Sequence, residues 1–224
     1  MGRSIRRLMR FRITLNEIEP PIWRLIDVPE SYSFWDLHVA VQDAMGWLDY
    51  HLQAFTPRRK QSRIRNSVGI PDEEFGDGTL AGWEVAIRDY FIELGDALEY
   101  EHDFGDGWCH EIVFVGLLLK ESGRKYPFCV GGARACPPED CGGVGGYEEL
   151  LQILSDPSNE EYQSMVAWLK GHAKNYYPYE PDKFGPDAVK FDSPKKRLKH
   201  ALSQFRNKGS LEYSHRDGYF LKGQ

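Results

Sequence analysis

The chain has 224 residues, of which 41 % are hydrophobic and 13 % are aromatic. This content suffices for a packed core and excludes a disordered chain, which combines low hydrophobicity with high net charge. The formal net charge of −6 excludes a protein whose whole surface coats nucleic acid, because neutralising phosphates requires a basic surface.

The first part of the chain predicts two strands, a helix and a third strand. Apolar and polar residues alternate over 11–15, which is typical of a half-buried strand. Segment 22–28 is apolar on both faces, so we expect a strand inside the sheet. Ser33 is a suitable N-cap for a helix that ends at Gly46, and 51–55 predicts a short strand.

The middle of the chain predicts one long hairpin between two irregular segments. Segment 57–84 is interrupted repeatedly by glycine and proline, which indicates an irregular excursion. The stretches 97–104 and 108–119 flank a Gly-Asp-Gly turn and predict the clearest hairpin of the sequence. Segment 127–146 is rich in Gly and Pro, carries three of the four cysteines and indicates a loop.

The last part of the chain predicts helices over 147–154, 159–170 and 194–206, the last of them basic and amphipathic. The order of elements predicts an α+β fold with a mixed sheet of about five strands, an early β-β-α unit resembling a β-grasp, a long hairpin and C-terminal helices. We expect a single domain over 1–192, followed by a basic helix and a loosely held tail over 193–224.

Several segments together carry a family resemblance. They are PPIWR at 20–24, AMGW at 44–47 with HL at 51–52, IPDEEFGD at 70–77, YEHDFGDGWCH at 100–110, ACPPEDCGG at 135–143 and GYEEL at 146–150. In this order they resemble the plasmid pRiA4b ORF-3-like family over residues 9–190, most of the chain. The resemblance implies an α+β domain found on plasmids and insertion elements, and it implies no established reaction. Some relatives are labelled resolvase-like, but the serine-recombinase pattern of a catalytic Ser with clustered Arg is not seen in this sequence.

The sequence also bears on the compartment. No apolar run approaches the roughly 20 residues that span a bilayer, and the first residues lack the apolar core of a signal peptide. We therefore expect a cytoplasmic protein without a membrane partner, in which the four cysteines stay reduced. Thiols in that compartment indicate metal binding, catalysis or burial before disulfides.

Three cysteines in the Gly- and Pro-rich segment form the pattern C-x6-C-x4-C. Zn²⁺ prefers four thiolate or imidazole ligands, of which Cys129, Cys136 and Cys141 would supply three. We predict His110 as the fourth ligand of a structural zinc. The alternatives that stay open for this position are Cys109, His102 and His51. The alternative is that the thiols are small buried hydrophobic side chains, and a disulfide or redox role is a third interpretation.

The tip of the predicted hairpin is acidic. Asp103 and Asp106 flank the turn and His110 follows it, a set that suits acid–base chemistry or metal binding. Glu139 and Asp140 would join this site if the cysteine-bearing loop folds over the hairpin. The alternative is structural, because Asp and Gly are turn residues whose carboxylates cap backbone N–H groups.

A basic cluster follows the predicted third strand. Its cations are Arg58, Arg59, Lys60, Arg63 and Arg65. Such a cluster can contact the phosphates of a nucleic acid, although a solvated surface explains it as well.

Three functions remain open from the sequence. We favour a binding or interaction domain, with a structural zinc, that serves a plasmid or mobile-element process. The second is a metal-dependent enzyme that uses Asp103, Asp106 and His110. The third is a metal-free protein–protein adaptor. We favour a non-enzymatic function because no phosphate loop, nucleophile elbow or HExxH motif is present.

Overall fold

The computed structural model describes residues 7–57, 66–71 and 78–208, with side chains through residue 203. Within these ranges the chain forms four α-helices and one mixed sheet, so the α+β class is confirmed. The helices are α1 Phe34–Met45, α2 Gly143–Ser155, α3 Tyr162–Gly171 and α4 Pro194–Lys208. The strands are β1 Arg7–Leu15, β2 Trp23–Pro29, β3 Gln53–Pro57, β4 Val68–Gly69, β5 Leu80–Ala81, β6 Ala97–His102, β7 Trp108–Leu119 and β8 Phe128–Ala133.

The strands lie in the order β5-β4-β3-β6-β7-β1-β2-β8. Every neighbouring pair is antiparallel except β4 and β5. The sheet therefore has eight described strands, and the expectation of about five from the hydrophobic pattern was wrong. β4 and β5 have two residues each, too few for an alternating pattern, and β8 lies in the glycine-rich segment that indicated a loop.

Strand β1 lies inside the sheet and contributes much of the core. Its residues Phe11, Ile13 and Leu15 are buried, whereas Arg12 and Thr14 between them are half-buried, as the alternation predicted. The early β-β-α unit is confirmed by β1, β2 and α1. Because β1 runs antiparallel to both β2 and β7, it lacks the parallel partner of the first strand in a β-grasp.

Helix α1 begins and ends at the predicted residues. Ser33 Oγ accepts a hydrogen bond from Asp36 N at 3.2 Å, and Asp36 Oδ2 accepts one from Ser33 N at 3.0 Å, which completes a capping box. Gly46 ends the helix with a φ of 95°, in the left-handed region where glycine is favoured. The helix packs one side on the sheet core, while Trp35 forms a second apolar cluster with Ala201 of α4.

The predicted hairpin is formed by β6 and β7. His102 pairs with Trp108 and Tyr100 pairs with His110, so the turn spans residues 103–107. This turn contacts the segment that precedes α2. The contact is a hydrogen bond of 3.1 Å from Gly142 N to Asp106 Oδ2.

Helix α4 docks on α1 through a buried cluster of charges. Arg197 donates to Asp49 Oδ2 at 3.0 Å and to Asp43 Oδ1 at 2.7 Å. The side chains of Arg197, Asp43 and Asp49 are 15 %, 8 % and 4 % exposed. The indole N–H of Trp35 also donates to the carbonyl of Pro194 at 3.0 Å. The division of the chain after residue 192 stays a prediction.

Two expectations concern residues that the structure does not describe. The basic cluster Arg58, Arg59, Lys60, Arg63 and Arg65 lies outside the described residues, as do residues 209–224 of the tail. A nucleic-acid partner of this cluster therefore stays a prediction. None of the helices in the described ranges has the length and apolar character needed to cross a membrane.

We expect Arg197→Met to lower the free energy of unfolding by about 3–5 kcal/mol, because it removes the guanidinium that pairs with the buried carboxylates of Asp43 and Asp49. The matched control is Arg88→Met, since Arg88 forms an exposed pair with Asp89 at 4.0 Å. For this control we expect a loss of less than about 1 kcal/mol. Urea denaturation of both variants measures the difference, and equal losses would contradict the docking role of Arg197.

Candidate metal centre at the hairpin tip

The segment 137–142, which we call the acidic loop, packs on the tip of the hairpin. The Trp47 indole N–H donates to the carbonyl of Pro137 at 3.1 Å, and Leu48 N donates to Glu139 Oε1 at 2.6 Å. At the other end of the loop, Gly142 N donates to Asp106 Oδ2 at 3.1 Å. These contacts fix the loop between the end of α1 and the β6–β7 turn, and thereby bring Glu139 and Asp140 to the hairpin as the sequence suggested.

Three side chains from three separate segments meet at this place. His51 Nε2 lies 3.1 Å from Asp140 Oδ1 and 3.4 Å from Asp103 Oδ2. Among the described residues, His51, Asp103 and Asp140 form the one group of three or more His, Cys, Asp or Glu whose ligand atoms all lie within 4.8 Å of each other. Ligands bound tetrahedrally at about 2.0–2.2 Å lie roughly 3.4 Å apart, close to the two spacings observed.

Asp103 serves both the turn and the site. Its Oδ1 accepts hydrogen bonds from Gly105 N at 3.0 Å and Asp106 N at 3.3 Å, as the structural interpretation of the tip predicted. Its Oδ2 faces His51. Asp103 and Asp140 have φ values of 57° and 58°, in the left-handed region that Asp tolerates better than most residues. Both carboxylates are therefore placed by backbone geometry as well as by side-chain contacts.

A second, fully buried pair lies behind this group. Glu139 and His102 are each 0 % exposed, and Glu139 Oε2 lies 3.6 Å from His102 Nε2 and 3.7 Å from His51 Nε2. Within the described residues, Glu139 Oε2 and both ring nitrogens of His102 have no hydrogen-bond partner. Buried polar atoms are nearly always hydrogen-bonded, so these atoms have the capacity to bind a proton donor, a water molecule or an ion. The ring of Trp47 covers His102 at a centroid distance of 4.7 Å.

The rim of the site is formed by Tyr50 and His172. Tyr50 OH donates to Asp140 Oδ2 at 2.6 Å, and His172 Nε2 lies 3.8 Å from the same oxygen. The side chain of Asp140 is 41 % exposed, whereas that of His51 is 5 % exposed. The site is therefore closed on the side of the sheet and open toward solvent at Asp140.

The electrostatics of the site favour a positive charge at its centre. Burial lowers the pKa of His51, but its hydrogen bond to Asp140 and the nearby carboxylates outweigh this effect, so that the pKa is raised. The neighbouring imidazoles of His172 and His51 hold the pKa of Asp140 well below its usual range. The carboxylates of Asp103 and Glu139 add further negative charge beside His51. A metal ion would supply the same positive charge.

The other predicted residues of the tip have different surroundings. Asp106 accepts a hydrogen bond from Gly142 and so fastens the acidic loop. His110 is fully buried, its Nδ1 donates to the Tyr100 carbonyl at 3.1 Å, and burial lowers its pKa to about 3. His110 is thus a neutral histidine inside the sheet and does not join His51 and Asp103 in one ligand group.

The structure does not gather the predicted zinc ligands. Among the described residues, no three of Cys129, Cys136, Cys141 and His110 offer ligand atoms within 4.8 Å of one another. Cys129 Sγ contacts the Gly131 carbonyl at 3.6 Å, and burial raises the pKa of the Cys141 thiol to about 12. Cys129 is buried and Cys136 and Cys141 are half-buried, and the zinc site built from cysteines stays a prediction.

Sequence reasoning named part of this site and missed the rest. Asp103 was predicted, His51 was an alternative ligand, and Asp140 depended on the loop folding over the hairpin. His172 and Tyr50 were missed because neither belongs to a motif with ligand spacing. Their role follows only from tertiary packing, which brings Tyr50 and the segment after α3 against the acidic loop.

Comparisons with other proteins agree with this architecture. A family profile described as plasmid pRiA4b ORF-3-like protein matches residues 7–188. The uncharacterized protein y4hQ of Sinorhizobium fredii (strain NBRC 101917 / NGR234) is 34 % identical over 163 residues, which cover 72 % of this chain and 80 % of that protein. MM3350, a protein of unknown function from Methanosarcina mazei Go1, is 35 % identical in sequence, and its crystal structure superposes on this one with a TM-score of 0.73. The match covers 84 % of this chain and all of that one.

The turn that joins the acidic loop to α2 depends on glycine. A Cβ on Gly146 would collide with the carbonyl oxygen of Cys141, whereas a Cβ on the adjacent Gly145 would meet open space. We expect Gly146→Ala to lower the free energy of unfolding by about 2 kcal/mol or more, because the backbone next to Asp140 must shift. Gly145→Ala is the matched control and should be neutral or stabilising by up to about 1 kcal/mol, since Ala favours a helix. Thermal denaturation compares them, and similar Tm values would show that the turn is not constrained.

Proposed function

The chain belongs to the plasmid pRiA4b ORF-3-like family, and we propose that it is a binding domain that holds a divalent transition-metal ion at the tip of its long hairpin. The ligands we assign are His51, Asp103 and Asp140. The observation that carries the proposal is their convergence beside a buried carboxylate oxygen and a buried imidazole that lack hydrogen-bond partners among the described residues. One imidazole with two carboxylates suits Zn²⁺ and neighbouring divalent ions.

The ion would join parts of the chain that are distant in sequence. His51 follows α1, Asp103 begins the hairpin turn and Asp140 belongs to the acidic loop. A metal bond to each residue links these three segments at one point. Because a preformed site is absent from an unfolded chain, the free energy of metal binding adds to the free energy of folding.

The two side chains behind the ligands support the same proposal. Glu139 Oε2 lies between the imidazoles of His51 and His102 at 3.7 and 3.6 Å, longer than a hydrogen bond. A carboxylate in this position can orient an imidazole ligand or approach the ion itself. Burying the carboxylate of Glu139 without a cation is unfavourable, so a metal ion bound beside it would stabilise the folded chain.

A zinc titration followed by thermal denaturation tests the proposal. At a free metal concentration of 100 Kd, an ion bound by the native state alone adds about 2.7 kcal/mol of stability. For a chain of this size that corresponds to a rise in Tm of roughly 5–10 °C. We expect His51→Gln to abolish the rise, because it removes the imidazole shared by both carboxylates.

The matched control is His200→Gln, since His200 lies on α4 and belongs to no ligand group among the described residues. It should keep the full zinc-dependent rise in Tm. The proposal would be rejected if zinc stabilised the His51→Gln variant as much as the parent chain.

The cysteine site is a competing proposal that metal analysis separates from this one. If His51 is a ligand, Cys136→Ser and Cys141→Ser should retain about one bound metal ion per chain after gel filtration, and His51→Gln should retain less than about a tenth of that. Elemental analysis of the purified variants gives the stoichiometry. Loss of metal from the two cysteine variants, with retention in His51→Gln, would instead assign the ion to the thiols.

A metal-dependent enzyme is a second candidate, favoured by the open side of the site. Structural zinc sites have four protein ligands, whereas catalytic sites have three and keep one position open. The group His51, Asp103 and Asp140 supplies three ligands, and the side chain of Asp140 is 41 % exposed. With Mn²⁺ bound, the relaxation rate of water protons distinguishes the two functions. A relaxation rate higher than that of free Mn²⁺ would show that water reaches an open coordination position of the bound ion. A rate without this increase would favour a purely structural ion.

A further inference from the structure

A cavity of about 260 Å³ has residues 135–137, at the start of the acidic loop, in its wall. Its wall is formed by the end of α1, the start of β2 and the segment that follows α3. The volume is just below the range of about 300–1,000 Å³ that is common for pockets of drug-sized ligands, so a ligand of this cavity would be small.

Arg24 is the buried cation in the wall of this cavity. It is 1 % exposed, and its Nε donates to the Ala44 carbonyl at 2.9 Å. Its Nη1 donates to the carbonyls of Trp23 and Ala133 at 2.8 and 2.9 Å. These bonds fix the guanidinium and satisfy two of its three nitrogens. The hydrogen bonds of the described residues leave Nη2, with two N–H donors, without an acceptor.

The charge of Arg24 also lacks a carboxylate partner among the described residues. The carboxylate of Glu180 lines the same cavity but is paired with Lys183 at 2.6 Å. Lys174 adds a further cation, and its ammonium donates to the Gly46 carbonyl. The lining therefore holds three cations and one carboxylate, an excess of positive charge around a buried guanidinium. A buried charge without a counter-charge is unfavourable, so the cavity favours an anion.

Aromatic rings form the apolar part of the wall. Phe184 stacks on the guanidinium of Arg24 at 3.8 Å from the ring centroid, and this contact holds the plane of the group. Tyr179 and Tyr176 line the cavity as well, with their hydroxyls engaged with the Cys136 carbonyl and with Glu139 N. These rings supply apolar surface to the wall, which suits the apolar part of a small organic molecule.

We propose that this cavity binds a small organic oxyanion, with a phosphate or carboxylate group held by Arg24 and Lys174 and its apolar part against Phe184 and Tyr179. Guanidinium and ammonium groups are the usual partners of such anions in proteins. The proposal does not depend on the metal ion, since no member of the group His51, Asp103 and Asp140 lines the cavity.

Amide chemical shifts of the full chain, recorded with a chelator and at constant ionic strength, test this proposal. The probes are inorganic phosphate, acetate and phenyl phosphate, each titrated against chloride. We expect saturable shifts centred on Gly46, Cys136 and Tyr176, which surround the cavity. If inorganic phosphate binds more tightly than acetate, the cavity is a phosphate site. If acetate binds more tightly, the cavity is a carboxylate site. Phenyl phosphate should bind more tightly than inorganic phosphate if the aromatic wall takes part.

The variant Lys174→Gln should weaken binding of the preferred anion by about tenfold or more, because it removes a charged hydrogen-bond donor. Lys170→Gln is the matched control, since it removes the same charge from a lysine that lies over Tyr177 at 4.4 Å and does not line the cavity. This control should change the affinity less than about twofold. Arg24→Lys keeps the charge but loses the guanidinium fork, and should weaken binding as well.

Circular dichroism of each variant shows whether the fold is retained. If Arg24→Lys does not fold, the affinity of Lys174→Gln for the anion tests the proposal. Shifts that do not saturate with any of the three probes would overturn the proposal. Equal weakening by Lys174→Gln and Lys170→Gln would do so too, because the anion would then respond only to net charge.

Discussion

The buried carboxylate of Glu139 is the constraint around which this end of the molecule is arranged. Removing a carboxylate from water is costly unless hydrogen bonds or cations replace the solvent. Glu139 is 0 % exposed, and Leu48 N supplies one strong hydrogen bond at 2.6 Å. Its second oxygen faces the imidazoles of His51 and His102. The end of α1, the start of β3, the end of β6 and the acidic loop therefore meet at one carboxylate.

A second set of buried charges extends this arrangement to the C-terminal helix. Asp49, two residues before His51, accepts a hydrogen bond from Arg197 of α4 at 3.0 Å. The other oxygen of Asp49 lies 2.7 Å from His38 of α1, whose second ring nitrogen contacts Tyr100 OH at 2.8 Å. Asp49 thus links α1 and α4 to the segment that carries His51. The acidic loop carries Asp140 of the proposed metal centre, and its first residue, Pro137, lines the proposed oxyanion cavity, so both proposed sites depend on its placement.

Much of the fold could be predicted because it follows from local patterns. The alternation in β1, the capping residues of α1 and the turn chemistry between β6 and β7 each depend on neighbours in sequence. The short strands β4 and β5 could not be predicted in this way, since two residues form a strand only when a partner is already in place. Strand β8 was not predicted because its glycines are typical of a loop.

The sequence by itself determined the family, the α+β class, the hairpin with its acidic tip and the residue types available for a site. It could not determine which of those residues meet, because a ligand set is a relation between distant segments that only packing establishes. Cys136 and Cys141 lie close in sequence yet offer their sulfurs to no common ligand group of the described chain, whereas His51, Asp103 and Asp140 lie far apart in sequence and converge. Tertiary structure decided this through the hydrogen bonds that fold the acidic loop back on the hairpin.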